Sequence, residues 1–481
     1  MNVVITGRDL TLDELIRTAR DGASISIDPA ALDHMARSRA VVERVLAASE
    51  PVYGVTTAVG VLKRVPLHGS AADAYARSMI RQHLVGQGPA APPDVVRATL
   101  LLQLNAFASG YPGVRPILAE RIVEALAGEL PRVRSLGSVG QADLAPLADL
   151  AEALYADVEL AAGEGLALVT GNAFATAWGA LAVADAGLLL DAFDVAATLS
   201  LEGLGGNLSI LHPAVGRSRP EPGLSLVVDR MRALLEGSAT WSAGRNLQDP
   251  LSFRTVPQVH GAARDAYTHV EGIVARELNA SQGNPIVAVE EELVVSVGNF
   301  EIVGLAAALD YLRIVLATVL TSAGERVVKL LETPWSGLPT GLVAGEDPGD
   351  AGLSYLGIAV QALVAEARLL AAPVSFELAS SSHAEGLEDR TTMAPLAARR
   401  TAEMVGLGRR IAAIELTVAA QAVELRGLEP TGRRTGATIR TVRRVVPFVG
   451  PGAFVPDVAP LAERIAAGDF DPAVVLGPPA G

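Results

Sequence analysis

Two stretches of this chain, residues 182–200 and 302–320, are almost continuous in Ala, Leu, Val and Ile, yet both carry ionisable groups. Asp185, Asp191 and Asp194 lie in the first, and Asp310 and Arg313 in the second. That combination narrows what the chain can fold into. Segments this long and this apolar must bury most of their surface. Several charges within one span are too costly for a helix crossing a bilayer. The reading is long helices packed inside a bundle or an oligomer, with no membrane partner.

Half of the 481 residues are hydrophobic and only 4% are aromatic. Aliphatic side chains therefore fill the apolar positions, and there is ample material for a core. From about residue 94 onward a helical period dominates. RPILAERIVEALAGEL sets Ile117, Leu118, Ile122, Val123 and Leu126 on one stripe. The spacing predicts long helices over 146–162, 172–203, 256–279, 301–332, 352–371 and 398–424, the one from 301 buried nearly all round. WSGLPTGLVAGEDPGDAGLS (335–354) reads as a Gly/Pro-rich loop. VEEELVVSVGNF reads as a short hairpin before a helix, and the final VVLGPPAG as a frayed end. No repeat or long linker interrupts the chain. It reads as one domain, 1–481, with a loop-bearing part to about 200 and a helical bundle beyond.

Other classes are excluded by what is missing. The net charge of -14 argues against nucleic acid, which needs clustered Lys and Arg. The basic run near 432–446 reads as a solvated helix face. With no cysteine there is no disulfide framework and no thiolate nucleophile. The histidines lack metal-binding spacing, so no metal is expected. No phosphate loop, dinucleotide fingerprint or G-x-S-x-G elbow occurs. The N-terminal MNVVITGRDLTLDEL has neither a basic leader region nor an apolar run, so a cytoplasmic location is expected.

Several separated stretches carry a more specific message. YGVTTAVG (53–60) is similar to Y-G-V-[NT]-T-G-F-G, and RQHLVGQGP (81–89) to S-H-x-x-G-x-G. EGLALVTGN (164–172) is similar to E-G-L-A-L-x-N-G-T, and QDPLSFRTVPQV (248–259) to Q-D-P-Y-S-x-R-x-x-P-Q-V. GNPIV (283–287), GNFE (298–301) and LEDRTTMAP (387–395) are similar to D-N-P-L-V, G-N-F-H and Q-E-D-H-x-S-M-A-P. In this order and spacing they resemble the aromatic amino acid ammonia-lyase and aminomutase family. The resemblance implies a mainly α, histidine ammonia-lyase-like fold of the aspartase/fumarase type, with a central bundle of long helices. It also implies a homotetramer whose active sites each draw on three subunits.

The family's chemistry rests on an internal electrophile, 4-methylideneimidazol-5-one (MIO), made from Ala-Ser-Gly within G-S-V-G-A-S-G-D-L-A-P-L. The Gly nitrogen attacks the Ala carbonyl, and the Ser loses its hydroxyl as water. Here the segment reads Gly137-Ser138-Val139-Gly140-Gln141-Ala142-Asp143-Leu144. Two residues stand where the family has three, and neither is Ser or Gly. Ala142 has nothing to dehydrate. Ser138 lies upstream, followed by the β-branched Val139. No MIO is expected, and no other cofactor. Leu251 replaces the Tyr of Q-D-P-Y-S, Thr170-Gly171-Asn172 inverts N-G-T, Gly283 replaces the Asp of D-N-P, and Glu301 replaces the His of G-N-F-H.

Other positions are kept. By resemblance, Tyr53 is the proton-moving Tyr and Arg254 the Arg that grips a carboxylate in bidentate fashion. His83 is the pocket His, Phe300 the aromatic beside the substrate, and Glu388 the carboxylate near the amino group. Each has a plainer reading. Arg254 could pair with Asp249, His83 could satisfy a backbone carbonyl, and Glu388 could belong to a solvated acidic face. Asn172 and Asn284 could be turn or cap residues. Gln141 and Asp143 fill the vacated electrophile position, where Asp143 could cap the following helix. A Tyr53 base would need its pKa lowered from about 10, which nearby positive charge would do.

The expectation is therefore an MIO-independent lyase, isomerase or cyclase acting on a small carboxylate held by Arg254, in a biosynthetic step. The alternatives are a non-catalytic homologue that binds a ligand or co-assembles with an active lyase, and a conventional ammonia-lyase, which would require MIO.

Overall fold

The computed structural model describes residues 2–346, 349–376, 384–471 and Val475. The frayed end expected at VVLGPPAG lies outside the described residues apart from Val475. The chain is mainly helical, with 61% helix against 5% strand. The helices that matter below are α1 (Pro29–Ala48), α2 (Ser70–Gln82), α3 (Pro93–Ala108), α4 (Pro116–Ala127), α5 (Leu144–Tyr155), α6 (Ala173–Leu204), α7 (Val256–Glu277), α8 (Val303–Leu331), α9 (Ser354–Leu370) and α10 (Ala394–Arg426). The ends of α6 to α10 fall within a few residues of the periodicity's expectation. Strong helix formers such as Ala and Leu run through them without an internal Pro beyond the first turn. A hairpin is present, but only its second strand falls in the expected stretch: β1 (Ile286–Ala288) precedes it and pairs antiparallel with β2 (Leu293–Val295).

Three further expectations need correction. The helix expected over 146–162 stops at Tyr155, and a short helix restarts at Glu164 after Gly163, whose φ is 84°. Side chains take over the ladder there. Arg77 donates to the carbonyls of Tyr155 and Val158, and the Tyr155 hydroxyl donates to Leu118 O at 2.9 Å. Helix α8 is not buried all round. Gly304, Ala307, Tyr311, Ile314 and Thr318 form a stripe at helical spacing that the single chain leaves exposed. In the expected loop 335–354, short helical turns stand at Thr333–Ser336 and Thr340–Leu342.

The chain divides into two compact units. One comprises 1–182, 270–309 and 373–399, and the other 183–269, 310–372 and 400–481. They interleave along the sequence, so no single cut separates them. In the first unit, Val41, Val42 and Val45 of α1 pack with Val52, Val55 and Val287 in one buried cluster. Each such side chain contributes about 1.5–3 kcal/mol on burial. Val52 and Val55 bracket Tyr53, so the cluster fixes the loop that carries it.

In the second unit, small residues let helices approach closely. A methyl on Gly408 would lie 2.5 Å from Leu189 Cδ2, and one on Gly203 3.0 Å from Ala422 Cβ. The acidic residues of the apolar stretch are all paired. Asp185 meets Arg409 at 2.9 Å, Asp191 meets Arg230 at 2.8 Å and Arg264 at 2.6 Å, and Asp194 meets Arg264 at 2.5 Å and His260 at 2.9 Å. Asp310 pairs with Arg313 one turn on. Helices α6 and α8 are long and apolar enough to cross a membrane by length and composition. These pairs explain how a bundle tolerates their charges.

Candidate active site

Tyr53 sits in a loop closed by its own sequence. Thr56 Oγ1 accepts from Val52 N at 2.7 Å and donates to Glu50 O. Gly54 takes φ 72°, and a Cβ there would stand 2.1 Å from Leu166 Cδ2. The Tyr53 hydroxyl accepts from Gly60 N at 3.0 Å. Burial raises its pKa above the ordinary phenol value; the Gly60 amide opposes this, and Glu388 and Tyr75 add to it. The expected positive charge beside Tyr53 is therefore not what this unit supplies. Its electrostatic neighbours are a carboxylate and a second phenol. Tyr75, on α2, went unnoticed in the sequence because it belongs to no motif. Its hydroxyl accepts from Val59 N at 3.1 Å, so two tyrosines hold the Val59–Gly60 backbone.

His83 follows the last turn of α2, and its Nδ1 lies 2.7 Å from Met79 O. With Nδ1–H donated to that carbonyl, Nε2 is left as the acceptor. The plainer reading of His83 holds for one ring nitrogen only. The next residues lead to the electrophile position, where Gly137 is so close that a Cβ would be 3.2 Å from Gly86 Cα.

The turn from Gly137 to Asp143 is tightly folded. Gly140 and Ala142 form a bridge, with φ 83° and 61° respectively. Thr392 Oγ1 donates to Gly140 O at 2.9 Å, and Met393 N to Val139 O at 2.9 Å. Ser138 Oγ donates to Asp143 Oδ1 at 2.9 Å and accepts from Gly140 N at 3.2 Å. Asp143 is fully buried, but its carboxylate does not cap the helix that follows it. Oδ2 accepts from Ala175 N at 2.7 Å, in the first turn of α6. Burial pushes its pKa up to about 6, against the pull of the Ala175, Ser138 and Phe174 hydrogen bonds and of Arg399. The residues present do not fit MIO. The one serine in the turn is engaged with Asp143, and the Gly140 carbonyl is taken by Thr392. Gln141 is half-buried at the apex.

Asn172 is fully buried, and its Nδ2 donates to Phe300 O at 2.7 Å. It braces the backbone that carries the half-buried Phe300. Gln282 Oε1 in turn accepts from Asn172 N at 3.2 Å. Asn284 Oδ1 accepts from Val297 N at 2.8 Å, across the base of the hairpin. Both asparagines thus act as the turn and bracing residues of the plainer reading. Glu388 is half-buried, and Asp389 is exposed. Nearby, Glu301 pairs with Arg390 at 3.4 Å. Both stand where the family motifs have His, so two imidazole positions have become an ion pair, 89 residues apart in sequence.

These residues belong to the first unit. Leu251 and Arg254 belong to the second, on the short helix Leu251–Arg254. Leu251 is 61% exposed. The alternative pairing of Arg254 with Asp249 does not occur. Asp249 accepts instead from Asn207 N at 2.6 Å and Asn246 Nδ2 at 3.0 Å. Arg254 makes no ion pair among the described residues. Its segment is anchored by Arg326, which donates to Ser252 O at 3.2 Å and pairs with the buried Glu415 at 2.6 Å.

A family model for aromatic amino acid lyases matches residues 10–159 and 155–444. The chain belongs to that family. It is 35% identical to the histidine ammonia-lyase of Symbiobacterium thermophilum, covering 99% of this chain and 100% of the relative. Among solved structures it is similar to histidine ammonia-lyase from Trypanosoma cruzi, with a TM-score of 0.90, 29% identity and coverage of 99% and 95%. It is also similar to ergothionase, an ergothioneine-degrading enzyme from Treponema denticola, with a TM-score of 0.90, 26% identity and coverage of 99% and 100%. A third neighbour is tyrosine aminomutase from Streptomyces globisporus, with a TM-score of 0.90, 28% identity and 98% of each chain covered. The relatives are lyases and aminomutases, and this chain is an enzyme of lyase type by family.

Proposed function

We propose that this chain is a lyase, isomerase or cyclase that works without MIO on the ammonia-lyase scaffold, with a small carboxylate held by Arg254 as substrate. The observation that carries the reading is the turn Gly140–Asp143. It lacks the serine and glycine that MIO requires, and its carbonyl and serine are committed to Thr392 and Asp143. Ammonia is a poor leaving group without an electrophile to hold it. The reactions left open are elimination of a better leaving group, double-bond migration, and ring closure by conjugate addition, all served by acid–base help and positioning.

Burial raises the Tyr53 pKa and keeps the phenol protonated at neutral pH, so it is placed to give a proton rather than to take one. Glu388, close enough to act on Tyr53 electrostatically, is the group suited to accept a proton from carbon. Arg254, unpaired among the described residues, is suited to a bidentate carboxylate contact. An ergothioneine-degrading enzyme and an aminomutase with the same fold support a small-molecule substrate. Exposed apolar side chains on α9, with Tyr355 65%, Ile358 66% and Leu369 76% exposed, support a homotetramer. The non-catalytic reading has one observation on its side, the absence of a cation among Tyr53's electrostatic neighbours in the described residues.

An intact mass spectrum of the purified chain tests the proposal first. A mass equal to the encoded sequence supports it. A mass two waters lighter, mapped to 137–145, overturns it in favour of a conventional ammonia-lyase. On a turned-over carboxylate, Tyr53→Phe should lose about a hundred- to ten-thousand-fold in kcat. Full activity in that variant would remove Tyr53 from the chemistry.

A further inference from the structure

The arginines that lock the second unit each have a carboxylate beside them. Arg230, Arg264, Arg313, Arg326 and Arg409 all pair with an Asp or Glu. Arg245 and Arg426 do not. Arg245 Nη1 donates to Ser336 O, and Arg426 Nη2 donates to the same oxygen at 2.7 Å. Arg426 Nε also donates to Gly203 O at 2.7 Å, in the last turn of α6. Neither guanidinium makes an ion pair among the described residues. The acids nearest them in sequence are engaged elsewhere. Glu424 pairs with Arg443, Glu202 accepts from Ser238 Oγ and Gly432 N, and Asp249 accepts from Asn207 N and Asn246 Nδ2.

The backbone brings the two cations together. Gly205 takes φ 65°, and a Cβ there would stand 3.2 Å from Arg245 Cδ and 3.5 Å from Arg426 Cζ. Gly337 takes φ 66°, and a Cβ there would stand 2.2 Å from Arg245 Nη2. A cation is favourable at a helix C-terminus, so the ends of α6 and of Thr333–Ser336 account for one guanidinium. They do not account for two on one neutral oxygen. Burial, with Arg245 beside it, pushes the Arg426 pKa down to about 10. Three donor atoms stay open: Arg245 Nε and Nη2, and Arg426 Nη1 have no acceptor among the described residues. Arg245 is exposed and Arg426 half-buried, so solutes can reach the pair. A single carboxylate would be matched by one guanidinium fork and leave the other charge unmet. An anion with two charges and several oxygens meets both.

We propose that Arg245 and Arg426 bind a doubly charged oxyanion, either free phosphate or the phosphate group of a small metabolite, at the ends of α6 and α10. The anion would accept from Arg245 Nη2 and Arg426 Nη1. It would clamp the 242–250 loop, which leads into the helix Leu251–Arg254, to these helix ends. The site does not depend on whether MIO forms.

The test is thermal melting of the full chain at pH 7 in millimolar phosphate, glycerol phosphate or sulfate against chloride at equal ionic strength. Such concentrations keep the generic stabilisation by excluded anions small. A bound anion raises the Tm once its concentration exceeds its Kd. Arg245→Gln should weaken the response on the order of tenfold, the weight of one charge at contact distance near a surface. Arg426→Lys keeps the charge but loses the planar fork, and should weaken it too. Arg440→Gln, the same charge change at an exposed arginine elsewhere, should leave it intact. Selenate soaked into crystals should give an anomalous peak at hydrogen-bond distance from Arg245 Nη2 and Arg426 Nη1. A response to phosphate and glycerol phosphate alike identifies a site for phosphate groups, and a response to the free ions alone identifies an inorganic-anion site. Arginines that only cap helix ends would make Arg245→Gln lower the Tm equally in every salt. That result, no oxyanion response in the wild type, or a carboxylate of a second copy seated on the pair in the crystal would overturn the proposal.

Discussion

Asp143 and Asp194 are both fully buried carboxylates, one in each unit, and burial pushes both toward the neutral form. The outcome differs because the partners differ. Asp143 is met by backbone amides and a serine hydroxyl, with Arg399 only a weak contribution, and its pKa stands at about 6. Asp194 is met by Arg264, Arg230 and His260, which hold it well below the usual carboxylate range. Hydrogen bonds offset part of the desolvation cost, whereas adjacent guanidinium groups reverse it. The bundle is locked by charge. The turn at the electrophile position is held by hydrogen bonds around a carboxylate that protonates near neutrality.

The largest test of this contrast is Asp194→Asn. It leaves Arg264 and Arg230 facing a neutral amide in a buried site, and stability should fall by about 3–5 kcal/mol. Urea melts at pH 7 would show it. A loss under 1 kcal/mol would mean that Asp191 alone suffices for both arginines.

Asp143→Asn should do something different. The folded pKa of Asp143 is raised, so the folded chain binds its proton more tightly than the unfolded one. Its contribution to stability is in full below about pH 4 and is lost as pH rises through about 6. At about 1.4 kcal/mol per unit, that is on the order of 3 kcal/mol. The difference between wild type and Asp143→Asn should therefore change across pH 4 to 6 and level off above. Asp194, with its lowered pKa, acts in the opposite sense and only below about pH 4. Parallel stability curves for wild type and Asp143→Asn would refute the raised pKa.

Much of this contrast could not be read along the chain. The aliphatic period located α6 to α10 closely, because a helical stripe is a local property. The motif residues were legible too, since Tyr53, His83 and Arg254 each sit within a short run that resembles a family motif. What escaped were relations between distant residues. Tyr75 reaches Val59 from another helix, Glu301 finds Arg390 across 89 positions, and Asp143 serves α6 rather than α5. The exposed stripe on α8 looked buried, because an apolar sequence does not say whether its last face meets the same chain. Burial of Tyr53 likewise depends on packing, so the direction of its pKa shift could not be foreseen.

The smallest effects sharpen the contrast most. Thr392→Val keeps shape while removing the donor to Gly140 O and the acceptor for Ala394 N at 3.2 Å, at the start of α10. Each group left unmet is buried, so the cost should be about 1–2 kcal/mol. Ser200→Ala removes the 2.8 Å hydrogen bond to Glu415 Oε1 in the second unit. There Arg326 still holds both carboxylate oxygens, at 2.6 and 3.0 Å, and the cost should stay below about 1 kcal/mol. Thermal melts of the two variants side by side decide the matter. The expected order follows from redundancy: a charge-locked carboxylate loses one of several partners, while the Gly140 carbonyl loses its only side-chain donor among the described residues. The reverse order would mean that the turn is held by the Met393 and Asp143 contacts alone. Its strained Gly140–Ala142 backbone would then not need Thr392.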